Sequence, residues 1–127
     1  MASPRSHTPQ TPQRAWEAAR QFALTLPGVE EGTSYGTPAL RVRGKLFARL
    51  HQDGDAIVVR MDPEERTMRL QADPRAFYIT EHYTRYPWIL VRLSAIRKRD
   101  LQDLVEDAWR RVAPQRLLAA YEQGGRG

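Results

Sequence analysis

The sequence contains no cysteine, only three histidines and no long apolar run. The absence of cysteine excludes a disulfide framework, a thiolate nucleophile and a thiolate metal site, and it fits a reducing compartment. No stretch approaches the roughly 20 apolar residues of a membrane span, and the first eleven residues, MASPRSHTPQT, lack the apolar run of a secretory signal. These absences predict a soluble, cytoplasmic protein with no membrane partner.

Catalytic motifs are also absent from the sequence. There is no nucleophile elbow and no Gly-rich phosphate loop, and the histidines show no metal-ligand spacing. His7 lies near the N-terminus, His51 ends a predicted strand, and His82 next to Glu81 is too little to define a catalytic dyad. We therefore expect no metal, no cofactor and no catalytic residue, and an enzyme using His82 is the least favoured hypothesis.

Length and charge set the outer limits of the protein. A chain of 127 residues suits one domain, which we place at 12–122 between a disordered tail at 1–11 and a flexible tail at 123–127. The formal net charge is +5 and the pI is about 10.1. Such a charge favours polyanionic partners such as DNA but does not specify a fold.

The order of the periodic segments predicts an α+β fold. Helices are expected from Thr11-Pro12, Asp62-Pro63 and Arg97, with a short last helix after Pro114. Strands are expected within 37–51, 56–61, 77–80 and 88–93, and the polar residues 29–36 are expected to form a link. The strongest helical stripe comprises Leu101, Leu104, Val105, Ala108, Trp109 and Val112. We predict a single domain with an antiparallel sheet, helices on one face and the other face exposed.

The stretch from Thr37 to His51 is the leading functional clue. Read as two strands joined at Gly44, it alternates at period two, with Leu40, Val42, Leu46, Ala48 and Leu50 on the core face. The other face then carries basic residues and one aromatic ring, joined by two arginines from later strands: Arg41, Arg43, Lys45, Phe47, Arg49, His51, Arg60 and Arg92. Arginines attract phosphates and Phe47 offers a stacking surface, although arginine is also a common strand residue whose stem covers apolar atoms.

Two further groups of residues have a functional and a structural interpretation. His82, Tyr83, Tyr86 and Trp88 form either a pocket wall or part of the core. Three aspartates on one face of the third helix form either a divalent-ion ridge or, as we prefer, a solvated face: Asp100, Asp103 and Asp107.

Four sequence blocks follow one another along the chain: LPGVEEG, TPALRVRGKLFARL, HYTRYPWILVRL and EDAWRRVAP. Over about residues 15–115 these blocks resemble the MmcQ/YjbR family of small bacterial proteins. The resemblance implies a frataxin-like (CyaY-like) or double-wing arrangement and a DNA-binding role that rests on likeness of fold. The matching positions are Gly36, Pro38, Gly44, Lys45, Phe47, Ala48, Trp88, Leu93, Ala108 and Trp109. Of these positions, Lys45 and Phe47 are the ones whose side chains we expect to contact a ligand. Iron binding does not transfer, because the first helix has Glu17 between Arg14 and Arg20.

Two function hypotheses follow. The first is a non-enzymatic module that binds nucleic acid through the basic sheet face. The alternative is a domain for a small anion, another small molecule or a protein partner, using Lys45 and the Tyr83–Trp88 loop. The sequence does not indicate an oligomeric state.

Overall fold

The computed structural model describes residues 11–124. Four α-helices and six strands lie in this part of the chain, with short 3₁₀ turns at Glu81–Tyr83 and Leu93–Ala95. In chain order they are α1 (Pro12–Ala23), β1 (Val29–Ser34), β2 (Thr37–Val42), β3 (Lys45–Leu50), β4 (Ala56–Arg60), α2 (Pro63–Ala72), β5 (Phe77–Tyr78), β6 (Trp88–Arg92), α3 (Lys98–Val112) and α4 (Gln115–Gly124).

The six strands form one antiparallel sheet in the order β1-β2-β3-β4-β6-β5. The first two hairpins turn through Tyr35-Gly36 and Arg43-Gly44, and all four of these residues have positive φ. Paired positive φ values define the type I′ turn, whose twist matches that of the flanking strands. The predicted α+β class with an antiparallel sheet is confirmed.

The core lies between the sheet and helices α1 and α3. All six residues of the predicted α3 stripe are buried, and the Trp109 side chain is fully enclosed. Its Nε1 donates to the Pro27 carbonyl at 2.9 Å, which fixes the turn after α1 against α3. The helices pack on one face of the sheet, as the periodicity predicted.

The predicted helix starts are close to those observed, but their caps differ. Thr11 Oγ1 accepts a hydrogen bond from the Arg14 backbone N–H at 3.2 Å, and Pro12 opens α1. Pro63 opens α2, yet the Asp62 side chain makes no capping bond. Asp62 lies instead beside Arg111 of α3, with Oδ1 and Nε 3.3 Å apart.

Residues 29–36 do not form the predicted link. Val29–Ser34 is an edge strand, paired along its whole length with β2. Glu30, Glu31 and Gly32 have low strand propensity, so the local sequence carried no signal. Main-chain pairing with the neighbouring strand stabilises β1.

The strand alternation predicted for β3 is confirmed at residues 48–50 but wrong at 45–47, because of a β-bulge. Leu40 pairs with Ala48 and Arg41 with Leu46, so Phe47 is an extra residue in β3. Phe47 is 0% exposed and packs in the core, whereas Leu46 lies on the opposite face. The bulge also pairs Lys45 with the core residue Val42, and it places Lys45 on the helix side of the sheet.

The face of the sheet that points away from α1 and α3, here called the open face, is not entirely exposed. Residues 79–87, the covering segment, fold across part of it. Tyr83 from this segment packs against Val58 and Leu90 and buries both. The open face is therefore divided into a covered centre and accessible margins.

Candidate functional site

Strand register assigns each predicted basic residue to a place on the sheet. Four arginines on strands belong to the open face: Arg41, Arg49, Arg60 and Arg92. Each is next to core-facing residues in its own strand or is opposite an open-face residue of the neighbouring strand. Arg43 occupies the exposed β2–β3 turn. As described above, Lys45 and Phe47 lie elsewhere. Four arginines on strands and one in a turn thus remain of the predicted basic set.

Three open-face arginines are stacked on aromatic rings. The guanidinium carbon of Arg92 lies 4.2 Å from the ring centre of Tyr78, and that of Arg60 lies 5.4 Å from the ring of Trp88. Arg49 lies 5.2 Å from the ring of Tyr35. Stacking of this kind holds a guanidinium in place while leaving its charge unneutralised.

Within residues 11–124, none of the open-face arginines lies within salt-bridge distance of a carboxylate. Arg41 instead donates to the Thr33 carbonyl at 3.0 Å. The acids near this face are Glu30, which is opposite Arg41 in the strand register, and Asp53 and Asp55 in the β3–β4 turn. Burial raises the pKa of Tyr78, and the negative charge of Asp55 raises it further. The surface potential of the open face is therefore set mainly by cations.

A cleft of about 370 Å³ opens between the β1–β2 turn and the covering segment. His82, Tyr83, Tyr86 and Trp88 all line it, so the structure brings the four predicted pocket residues together. The rest of the lining comes from the turn and the open face: Ser34, Tyr35, Leu46, Arg49 and Val58. Lys45, which the sequence associated with this pocket, is not among them.

Arg49 lies at the base of this cleft and is only 3% exposed. Its Nη2 donates to the Tyr83 hydroxyl oxygen at 2.5 Å and to Gln52 Oε1 at 3.3 Å. Its Nη1 donates to Thr37 Oγ1 and to the Leu50 carbonyl, both at 3.2 Å. All four acceptors are neutral.

Arg66 of α2 fixes the covering segment, a role that no pattern in the sequence indicates. Its Nη1 donates to the carbonyls of Tyr83, Tyr86 and Trp88 at 3.1, 2.7 and 3.0 Å. Its Nη2 donates to the Thr84 carbonyl at 3.0 Å. One guanidinium thus satisfies four main-chain acceptors and holds the cleft wall in shape.

The residues that could support catalysis or metal binding are dispersed. His82 packs edge-on to Tyr83, with ring centres 4.8 Å apart. His51 Nδ1 lies 3.5 Å from Asp53 Oδ2, at the rim of the sheet. Among the described residues, no group of three or more potential metal ligands comes together. The α3 aspartates do not converge on a site, and burial, followed by the charge of Glu65, raises the pKa of Asp107.

The helices of residues 11–124 include none long and apolar enough to cross a membrane.

Comparison with known proteins identifies the family. The YjbR family model matches residues 24–111, well over half of the chain. The chain belongs to the YjbR family. The predicted MmcQ/YjbR membership is therefore confirmed.

Two mycobacterial proteins are similar to this chain in sequence, and one solved structure is similar to it in fold. Uncharacterized proteins of Mycobacterium bovis (Mb2600) and Mycobacterium tuberculosis (Rv2570) are each 41% identical over 69 residues, or 54% of this chain and 54% of their own length. The chain spans about half the length of these curated relatives. The crystal structure of Deinococcus radiodurans protein DR2400, with a DUF419 domain, superposes with a TM-score of 0.66 at 22% identity, covering 79% of each chain.

The YjbR match shows the family, and the likeness to the DR2400 structure supports the fold. The frataxin-like (CyaY-like) name for this arrangement stays a prediction, as do the ligand-binding roles of the basic and aromatic residues.

Proposed function

We propose that this YjbR-family protein is a non-enzymatic module that binds nucleic acid, and DNA in particular, with weak sequence selectivity. The binding surface is the accessible part of the open face. Arg41, Arg60 and Arg92 contact phosphates from the strands, and Arg43 contacts them from the adjoining turn. The observation that carries the proposal is the set of open-face arginines that lie outside salt-bridge distance of every carboxylate in residues 11–124.

The electrostatic argument depends on which charges are already neutralised. An arginine paired with a carboxylate contributes little to the potential at a distance, whereas one held by a carbonyl or a ring retains its full charge. Arg60 and Arg92 are held by rings, and Arg41 by a carbonyl. A polyanion approaching this face meets several cations whose side chains are already held in place. Binding therefore costs little of the arginines' conformational entropy.

The residues proposed to contact DNA differ from the set that the sequence predicts. Arg49 is too deeply buried to contact a phosphate of a duplex, and Phe47 is inside the core. Tyr78 and Trp88 take over as the aromatic residues of the face. About four phosphate contacts remain, which predicts a log–log salt slope near −3.5 on duplex DNA and near −3 on a single strand.

The test is a titration of the full chain against fluorescent 20-nucleotide single-stranded and double-stranded DNA, followed by anisotropy at about 20 to 200 mM salt. We expect micromolar affinity at the lowest salt and a steep decline along the predicted slope. An absence of binding at 20 mM salt to either form would contradict the proposal, and so would an affinity that does not change with salt.

A further inference from the structure

We infer that the cleft beneath the covering segment is a separate binding site for a small planar aromatic carboxylate, with Arg49 and the Tyr83 hydroxyl at its anion end. This site does not depend on DNA binding, because its anion-binding residue is not one of the four phosphate-contacting arginines.

The first observation is the buried charge of Arg49. Removing a guanidinium from water is costly unless an opposite charge compensates it. Arg49 is 97% buried, yet it finds neutral acceptors alone among the described residues, three of them at 3.2 to 3.3 Å. Its charge is therefore solvated by dipoles but not neutralised. An anion entering the cleft would supply the missing negative charge in a region of low dielectric.

The second observation concerns the hydroxyl of Tyr83. Its oxygen accepts the 2.5 Å bond from Arg49 Nη2, and it makes no bond as a donor within residues 11–124. Accepting from a cation polarises an O–H group and makes it a stronger donor. The Arg49–Tyr83 pair thus presents a proton to an incoming oxygen next to a positive charge, as suits a carboxylate.

The third observation is the shape and composition of the cleft. Four aromatic side chains line it besides His82: Tyr35, Tyr83, Tyr86 and Trp88. Its volume of about 370 Å³ lies at the lower end of the range for small-molecule sites, which suits a ligand of one or two rings. No acidic residue is part of the lining, so a cationic ligand would find no carboxylate there and would be repelled by Arg49. Aromatic walls with a cation at the base select a flat anion.

The backbone supports this assignment at the β1–β2 turn. Tyr35 has φ of +53°, an unfavourable conformation for a bulky residue, and its side chain is 76% exposed. The turn nevertheless holds its ring 5.2 Å from the Arg49 guanidinium, at the mouth of the cleft. The type I′ geometry of this hairpin therefore places an exposed aromatic ring over a buried cation.

The experiment uses 2-naphthoate as the probe and its neutral counterpart 2-naphthamide as the control, with both titrated into the ¹⁵N-labelled full chain. We expect saturable one-to-one shifts of amides in residues 34–35, 49–50 and 82–88, with naphthamide at least tenfold weaker. That ratio measures the contribution of the charge, since the two probes present the same ring.

Variants separate a specific site from a general effect on folding. Tyr83→Phe removes only the hydroxyl, and Tyr35→Ala changes an exposed turn residue, so both should fold. Each is expected to weaken naphthoate binding about threefold to tenfold, and Arg49→Met to abolish it while Arg49→Lys retains part of it. Arg92→Gln removes a charge from the open face outside the cleft. It should leave naphthoate affinity unchanged while weakening DNA binding.

Three results would overturn the inference. Equal binding of naphthoate and naphthamide would show an apolar patch without anion recognition. Shifts that map outside the cleft would place the probe elsewhere. Tighter binding of neutral thymidine than of naphthoate would assign the cleft to an unstacked base of the nucleic acid. None of these outcomes decides whether the open-face arginines bind phosphates, which the salt titration tests separately.

Discussion

The arginines of the two sides of the sheet are held in different ways. On the helix side, Arg20, Arg69, Arg110 and Arg111 each lie within salt-bridge distance of at least one glutamate. On the open face, Arg41, Arg49, Arg60 and Arg92 are held by carbonyls, hydroxyls, an amide or aromatic rings. The open-face arginines therefore keep their charge, whereas these four helix-side arginines are paired with glutamates. The same residue type cross-links helices on one side and leaves its charge available on the other.

Substitution of Arg66 is expected to have the largest effect on stability. This arginine belongs to helix α2 but is held by main-chain carbonyls. Arg66→Met removes four charge-assisted hydrogen bonds to carbonyls of residues 83–88, two of them partly buried, although the carbonyls of Tyr83 and Tyr86 keep a main-chain donor. We expect a loss of about 3 kcal/mol in the free energy of unfolding, measured by urea denaturation. Arg75→Met, at an exposed arginine, should cost less than about 0.5 kcal/mol. Equal stability of the two variants would show that the carbonyl contacts contribute nothing.

Arg111 tests the helix side of the comparison. Its Nη2 lies 2.7 Å from Glu65, and both side chains are mostly buried. Arg111→Met leaves the exposed Asp62 without a cation and Glu65 with Arg69 alone, so we expect a loss of about 1 to 2 kcal/mol on urea denaturation. DNA affinity should stay within about twofold of the wild type, because this charge is already neutralised. A large fall in the DNA affinity of the folded variant would mean that the two sides do not differ in function.

Tyr78 tests the role of the aromatic rings on the open face. Tyr78→Leu removes the surface that holds Arg92, and we expect DNA affinity to fall about threefold to tenfold at low salt. Tyr121 is the matched control, since it carries Arg110 on the helix side at 5.4 Å. Tyr121→Leu should destabilise the core around Trp109 without changing the DNA affinity of the folded protein. Equal loss of DNA affinity in the two variants would contradict a specific role for the open-face ring.

Asp107 gives the smallest effect. Burial, followed by repulsion from Glu65, raises the pKa of this carboxyl, so the folded protein binds its proton more tightly than the unfolded chain does. Protonated Asp107 makes its full contribution to the free energy of unfolding below about pH 4. This contribution is lost as the pH rises through the folded-state pKa of Asp107. Asp107→Asn should therefore raise the melting temperature by about 1 to 3 °C at pH 7 and by nothing near pH 3.5. A less stable variant at pH 7 would show that attraction to Arg111 dominates.

The sequence predicted best what is encoded locally. The six apolar positions of α3 recur at helical spacing and are buried as a set, because an amphipathic helix of this length has one way to face a core. The aromatic residues of the cleft wall are close together in the chain, so their grouping was accessible as well.

The features that the sequence did not predict depend on distant neighbours. The bulge at Phe47 depends on how β3 pairs with β2. The extra residue moves residues 45–47 to the opposite side of the sheet from the one that simple alternation predicts. Strand β1 depends on pairing with β2. The Arg49–Tyr83 bond joins residues 34 positions apart, and no local pattern indicates it. The candidate site was therefore predicted in composition but not in geometry.

The most direct test of the central claim compares two double variants with the same change in charge. Arg60→Gln with Arg92→Gln removes two open-face charges, and Arg14→Gln with Arg116→Gln removes two exposed charges from helices α1 and α4. We predict that the open-face pair lowers DNA affinity at least tenfold at 50 mM salt and reduces the salt slope by about 2, whereas the helix pair changes affinity less than about threefold. Equal losses from both pairs would show that net charge alone attracts DNA, and would contradict the assignment of binding to the open face.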